Sequence, residues 1–92
     1  MDWGASYRNH DGVPNLSKQR QDPLLVALGQ AIRHIRLDKG VSQEKLALLA
    51  EVDRSYVGRV ERGDNNVAIL TLARLAKALE ISMQDLMGKA EL

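Results

Sequence analysis

The sequence predicts an all-α domain of five short helices, and three observations predict it. Apolar residues recur at helical intervals in successive stretches between Pro23 and Glu80, with no strand-like alternation. Helix-starting residues stand before those stretches at Asp22, Ser42, Asp53 and Ser82, and Gly40 and Gly63 stand where helices should stop. The connections left over are short and contain ordinary turn residues such as Asp64-Asn65-Asn66.

Helix 1 is expected from Pro23 to Lys39. Asp22 serves as its N-cap, and Pro23 occupies the first position, where no backbone donor is missed. Leu25, Leu28, Ile32 and Ile35 form its buried stripe, and Gly40 closes it in a left-handed cap. Ser42 caps helix 2, Gln43 to Ala50, and Asp53 caps helix 3, Arg54 to Arg62. Helix 4 runs from Ile69 to Glu80 with Ile69, Leu72, Leu75, Ala76 and Leu79 inward. Ser82-x-x-Asp85 has the form of a capping box for a short helix 5 that ends near Met87.

The segment QEKLALLAEVDRSYVGRVER, Gln43 to Arg62, carries the functional signal. It reads as two short helices around a tight turn. Leu46, Ala47 and Ala50 share one face of the first, and Val57 and Val60 point from the second into the same core. Ala47 leaves room for a crossing helix, and Val52 can plug the turn. The outward face of the second helix then holds Arg54, Ser55, Tyr56, Gly58, Arg59 and Arg62. A short helix with an apolar back and an Arg/Ser/Tyr front suits the major groove of DNA.

Around that segment, Leu28-Gly29-x-x-Ile32-Arg33-x-x-Arg36, Gly40-Val41-Ser42-Gln43-Glu44, Leu46-Ala47, Val60-Glu61-Arg62-Gly63 and Leu72-x-x-Leu75-Ala76-x-Ala78-Leu79 follow in order. From Leu24 to about Met87 the chain resembles the lambda-repressor-like (Cro/Xre) helix-turn-helix regulators. Asp53 to Val57 and Glu61 to Val67 look most like the controller proteins of restriction–modification systems. Two positions depart from the pattern: Glu51 stands where the family's turn usually has Gly, and Asn65 where controller proteins often have Arg. The resemblance implies a transcriptional regulator that binds double-stranded DNA as a homodimer on an inverted-repeat operator.

On that reading Arg54, Ser55 and Arg59 contact bases. Arg can pair in bidentate fashion with guanine O6 and N7, and Ser can bond a base edge. Gln43, Tyr56, Arg62, Asn65 and Asn66 are expected at phosphates, Gln43 with help from the free backbone donors of a helix N-terminus. Gly58 would let DNA or helix 1 approach closely. The resemblance also implies a partly buried ion pair between Arg36 and Glu61, which gives Glu61 a structural role. Leu70 and Ala73 point away from the inward stripe of helix 4. Ile81, Met83, Leu86 and Met87 then crowd more apolar residues into a short segment than one face can bury. Together they mark an apolar contact surface, the expected dimer interface. Controller-like relatives pair through the same region.

Composition narrows the alternatives. Ninety-two residues make one small domain, and with no Phe, no Cys and 3% aromatic residues its core must be aliphatic and without disulfides. The net charge is only +1, so positive charge is local: Arg54, Arg59 and Arg62 against Asp53 and Glu61. Residues 1–22 are polar and read as a flexible tail preceding a 23–92 DNA-binding domain. Trp3 and Tyr7 are the exceptions there, and the segment could instead be an arm that docks on the domain or reaches DNA through Arg8, Lys18 and Arg20. No apolar run approaches the ~20 residues of a membrane span, and no apolar signal core opens the chain, so a soluble cytoplasmic protein is expected. His10 and His34 have no ligand partners at metal spacing, and no catalytic or cofactor motif is present. Neither enzyme activity, metal nor cofactor is expected. Two rival functions remain compatible with the sequence: an antitoxin that binds its promoter and a toxin, and a protein–protein adaptor. RNA polymerase is the other protein partner compatible with it.

Overall fold

Most helix starts in this fold have a local cause; α4 alone begins after a residue, Ala68, that cannot cap it with a side chain. The structure is a computed structural model that describes residues 19–92. Its helices are α1 (Pro23–Asp38), α2 (Gln43–Ala50), α3 (Arg54–Arg62), α4 (Ile69–Ala78) and α5 (Met83–Lys89), with no strand among the described residues. Asp22 accepts from the Leu24 amide, Ser42 from the Lys45 amide and Ser82 from the Asp85 amide. Asp53 caps α3 through its carbonyl, which accepts from the Tyr56 and Val57 amides, and not through its side chain. Residues 1–18, with Trp3, Tyr7, Arg8, His10 and Lys18, lie outside the described residues.

The helices stop where the backbone turns left-handed. Gly40 and Gly63 do this at φ 68° and 79° without cost. Glu51 and Glu80 do it at φ 60° and 58° in spite of a Cβ, at roughly 1–2 kcal/mol each. Glu80 is why α4 ends at Ala78 and not at Glu80 as the sequence predicts. At the other end of that helix Ile69 is 65% exposed, against the inward position expected for it. Val67, just before the helix, packs on the core in its place. α5 runs past Met87 to Lys89 because buried Ala90 draws the chain onto the core.

α1 packs across α3, α2 sits against both α3 and α4, and α5 closes the bundle against α1 and α4. Ile32, Leu46, Val57, Leu75, Leu79 and Leu86 are the largest side chains sealed inside. Leu86 was expected on the dimer surface; at 0% exposure it belongs to the core instead. The reason is energetic. A helix of 7 residues has no stability of its own, and burying one leucine contributes about 1.5–3 kcal/mol toward holding it in place.

α1 and α3 meet closely at Gly29, whose missing side chain lets α1 lie on the last turn of α3. A Cβ there would stand 2.7 Å from the Glu61 carbonyl oxygen and closer still to that of Val60. Gly63 is equally close-packed: a Cβ would lie 2.8 Å from Val26 Cγ2. Both contacts fix the far end of α3 relative to α1, and so fix the direction in which α3 projects its outer face.

Candidate nucleic-acid interface

The turn between α2 and α3 folds the two helices against each other. Val52, half-buried in that turn, packs against the core as a plug, and its amide bonds to Ala47 O at 3.0 Å. α3 then buries Val57, Gly58, Val60 and Glu61 and leaves Arg54, Ser55 and Arg62 exposed. Arg54 and Ser55 stand free at its leading turn.

Tyr56 and Arg59 are set back. The Arg59 guanidinium carbon lies 5.8 Å from the Tyr56 ring centroid, a cation–π distance. Both side chains line a cleft with Glu51, Asp53 and Thr71. Arg59 Nε is buried there and has no hydrogen-bond partner. Burial pushes the Tyr56 phenol above its ordinary pKa, with the charges of Arg59 and Arg74 pulling the other way. The phenol is therefore neutral at physiological pH and can donate a hydrogen bond.

Behind this face lies a charged knot. Arg36 Nε donates to Glu61 Oε2 at 2.7 Å and Nη2 to Oε1 at 3.1 Å, while Nη1 donates to Val41 O at 2.9 Å. Gln43 Nε2 also donates to Glu61 Oε1, at 3.0 Å. One buried carboxylate thus ties α1, the first residue of α2 and the last turn of α3 together. The Gln43 bond was not foreseen from the sequence: its amide is half-buried and partly engaged, not a free surface group.

The loop after α3 departs from expectation at one residue. Asn65 is 9% exposed and its Oδ1 has no partner, so it is not available to a phosphate. The Asp64 amide bonds back to Arg59 O, and Val67 anchors on the core, so the chain folds Asn65 inward between them. Asn66 remains exposed. Arg62 is exposed but paired through Nε with Asp64 Oδ2 at 3.1 Å. Gly58 makes no close approach to α1; a Cβ there would meet only the tip of Arg62, at 3.2 Å. That role falls to Gly29, whose place within the helix-1 motif was the only sequence signal for it.

Of the apolar surface, Leu70 is 78% exposed and adjoins exposed Ile69, with Ala73 half-exposed. Ile81, Met83 and Met87 are half-buried against the core. Leu48 on α2 is 71% exposed as well. Among the described residues no helix is long and apolar enough to cross a membrane, and no three His, Asp or Glu side chains could hold a metal ion.

Two short helices joined by a plugged turn, with the second presenting arginines over a buried apolar back, define a helix-turn-helix DNA-binding regulator. Residues 32–86 match the helix-turn-helix family, and the chain belongs to that family, of the Cro/Xre type. It is similar to the Control protein C.BamHI of Bacillus amyloliquefaciens, with 42% identity over 60 residues, covering 64% of this chain and 74% of that one. The Control protein C.SmaI of Serratia marcescens is 40% identical over 62 residues, covering 67% and 74%. Among solved structures, the restriction-modification controller protein C.AhdI from Aeromonas hydrophila superposes with a TM-score of 0.66 at 52% identity, covering 67% of this chain and 94% of that one. The chain is thus a transcription regulator of this family and not an enzyme.

Proposed function

We propose that this regulator acts as a homodimer on an inverted-repeat operator that overlaps the promoter it controls. The observation that carries the proposal is the free leading turn of α3, where Arg54 and Ser55 project from a helix whose back is locked into the core. In this arrangement α3 enters the major groove, and Arg54, Ser55 and Arg59 read base edges. Gln43, Tyr56, Arg62 and Asn66 hold phosphates on either side. Gln43 can do so with its remaining amide hydrogen while Glu61 keeps it oriented. Selection of bound duplexes from a random pool tests the reading directly: a palindromic consensus is expected, and a pool with no enrichment would end it.

Base and phosphate roles separate by mutation. Arg54→Ala should weaken binding by about 1–3 kcal/mol and relax preference at one position in each half-site. Gln43→Ala should weaken all sequences about equally. An unchanged consensus for Arg54→Ala would remove it from base readout.

The dimer is assigned to the patch centred on Leu70 with Ile69 and Ala73, flanked by Ile81, Met83 and Met87. Exposed apolar side chains grouped at a helix start mark a contact surface. A two-fold axis there sets the recognition helices about 34–36 Å apart, one helical turn of DNA. Leu70→Glu should give monomers in sedimentation equilibrium that bind a palindrome far more weakly. A parent protein monomeric at tens of micromolar would exclude this assembly.

A further inference from the structure

We propose that Gln21 is a positioning residue that fastens the chain before α1 to the end of the recognition helix, and that Arg20, carried with it, is a further DNA-phosphate contact beside Arg62. The proposal rests on the DNA-binding reading above. Gln21 makes three bonds to three consecutive residues. Its backbone N–H donates to Gly63 O, and its side-chain Nε2 donates to Arg62 O at 2.7 Å and to Asp64 Oδ1 at 2.6 Å. Arg62 O and Gly63 O lie at the end of α3, where carbonyls have no partner within the helix. Gln21 adopts φ 66° to make these bonds, a left-handed conformation that a residue with a Cβ avoids unless its surroundings impose it. Gln21 is thus docked on the domain ahead of Pro23, where the folded unit was expected to begin.

Charge gives the clasp a second use. The Asp64 carboxyl is held below the usual carboxylate range, first by the Gln21 hydrogen bond, then by Arg62, with a smaller contribution from the charge of Arg20. Arg20 directly precedes the docked Gln21 and is itself exposed. Arg62 is already paired with Asp64, so Arg20 adds a further positive charge beside the trailing end of α3, where the flanking backbone of a bound duplex would pass. An exposed ion pair adds little to folding stability. The same charge placed on a phosphate releases counterions and shows in the salt dependence of binding.

The test uses the full chain and the operator obtained by selection, with affinity measured by fluorescence anisotropy over a salt series. Arg20→Ala should lower the slope of log Kd against log salt by about 0.9 for each subunit bound, with the melting temperature and the consensus unchanged. Gln21→Gly relieves the left-handed backbone, can keep the bond to Gly63 O, and removes only the amide. It should also lower the slope, because Arg20 loses its fixed place. A parent slope in both variants, alongside weakened binding by Gln43→Ala, would reduce the clasp to a cap for the α3 carbonyls. An Arg20→Ala slope equal to the parent's with a reduced one for Gln21→Gly would overturn the Arg20 contact. A parent chain that binds no duplex would overturn the reading beneath both.

Discussion

Arg36→Ala is expected to cost the domain about 3–5 kcal/mol, because Glu61 would remain buried without its counter-charge. Both residues are 6% exposed, and the guanidinium supplies two bonds to the carboxylate and one to Val41 O. Gln43 alone cannot neutralise the charge left behind. For a domain this small the loss corresponds to a fall in melting temperature of more than about 10 °C. The exposed Arg62–Asp64 pair sets the contrast: breaking a surface pair costs only about 0–1 kcal/mol. Replacing both partners, as Arg36→Met with Glu61→Leu, should recover much of the stability, since no uncompensated charge remains. Thermal melts of the single and double variants decide the matter. A single variant that melts within a degree or two of the parent would mean that Glu61 reaches water.

Gly29→Ala should destabilise the protein although alanine is the better helix former. In an open helix the change would gain about 1 kcal/mol. Here the new Cβ would stand 2.7 Å from the Glu61 carbonyl oxygen and 2.9 Å from its carbon, both backbone atoms that cannot swing aside. α1 and α3 must separate, and overpacking of this kind costs about 1–3 kcal/mol. Gly58→Ala is the control within the same pair of helices. Its Cβ meets only the flexible end of Arg62 at 3.2 Å, so it should be neutral or stabilising by up to about 1 kcal/mol. Because Gly29 sets the seat of α3, its substitution should also weaken binding to every DNA sequence. A Gly29→Ala protein more stable than the parent in denaturant melts would show that the two helices can part freely.

The sequence made the five helices legible because their punctuation is local. Asp22, Ser42 and Ser82 act within three residues of themselves, and Gly40 and Gly63 act on their own backbone. The left-handed residues Gln21 and Glu80 escaped because a residue with a Cβ carries no such signal; its neighbours force the conformation on it. Arg54, Ser55 and Arg62 on the exposed front of α3 were readable from spacing, but Gly58, expected beside them, is buried and Tyr56 and Arg59 are set back. Asn65 was not readable, since whether a turn residue faces in or out depends on where Val67 anchors. The second role of Gln43 depends on the crossing of α2 over α3, as does the role of Gly29 on that of α1, and no periodicity within one helix records a crossing. Leu86 was placed on the surface by counting apolar residues along a helix too short for its faces to be told apart.

The aliphatic core has an optical consequence. Tyr56 is the only Phe, Tyr or Trp between residues 19 and 92, and it sits on α3 against the Arg59 guanidinium. The interior is therefore nearly silent in the near ultraviolet, and absorbance or dichroism from the folded unit comes almost entirely from its recognition helix. In a chain lacking Trp3 and Tyr7, the phenol band would follow the local environment of that one helix without any attached label. The same band would report alkaline ionisation of Tyr56 above its ordinary range, and a shift of that ionisation on adding a duplex would register the approach of phosphate charge.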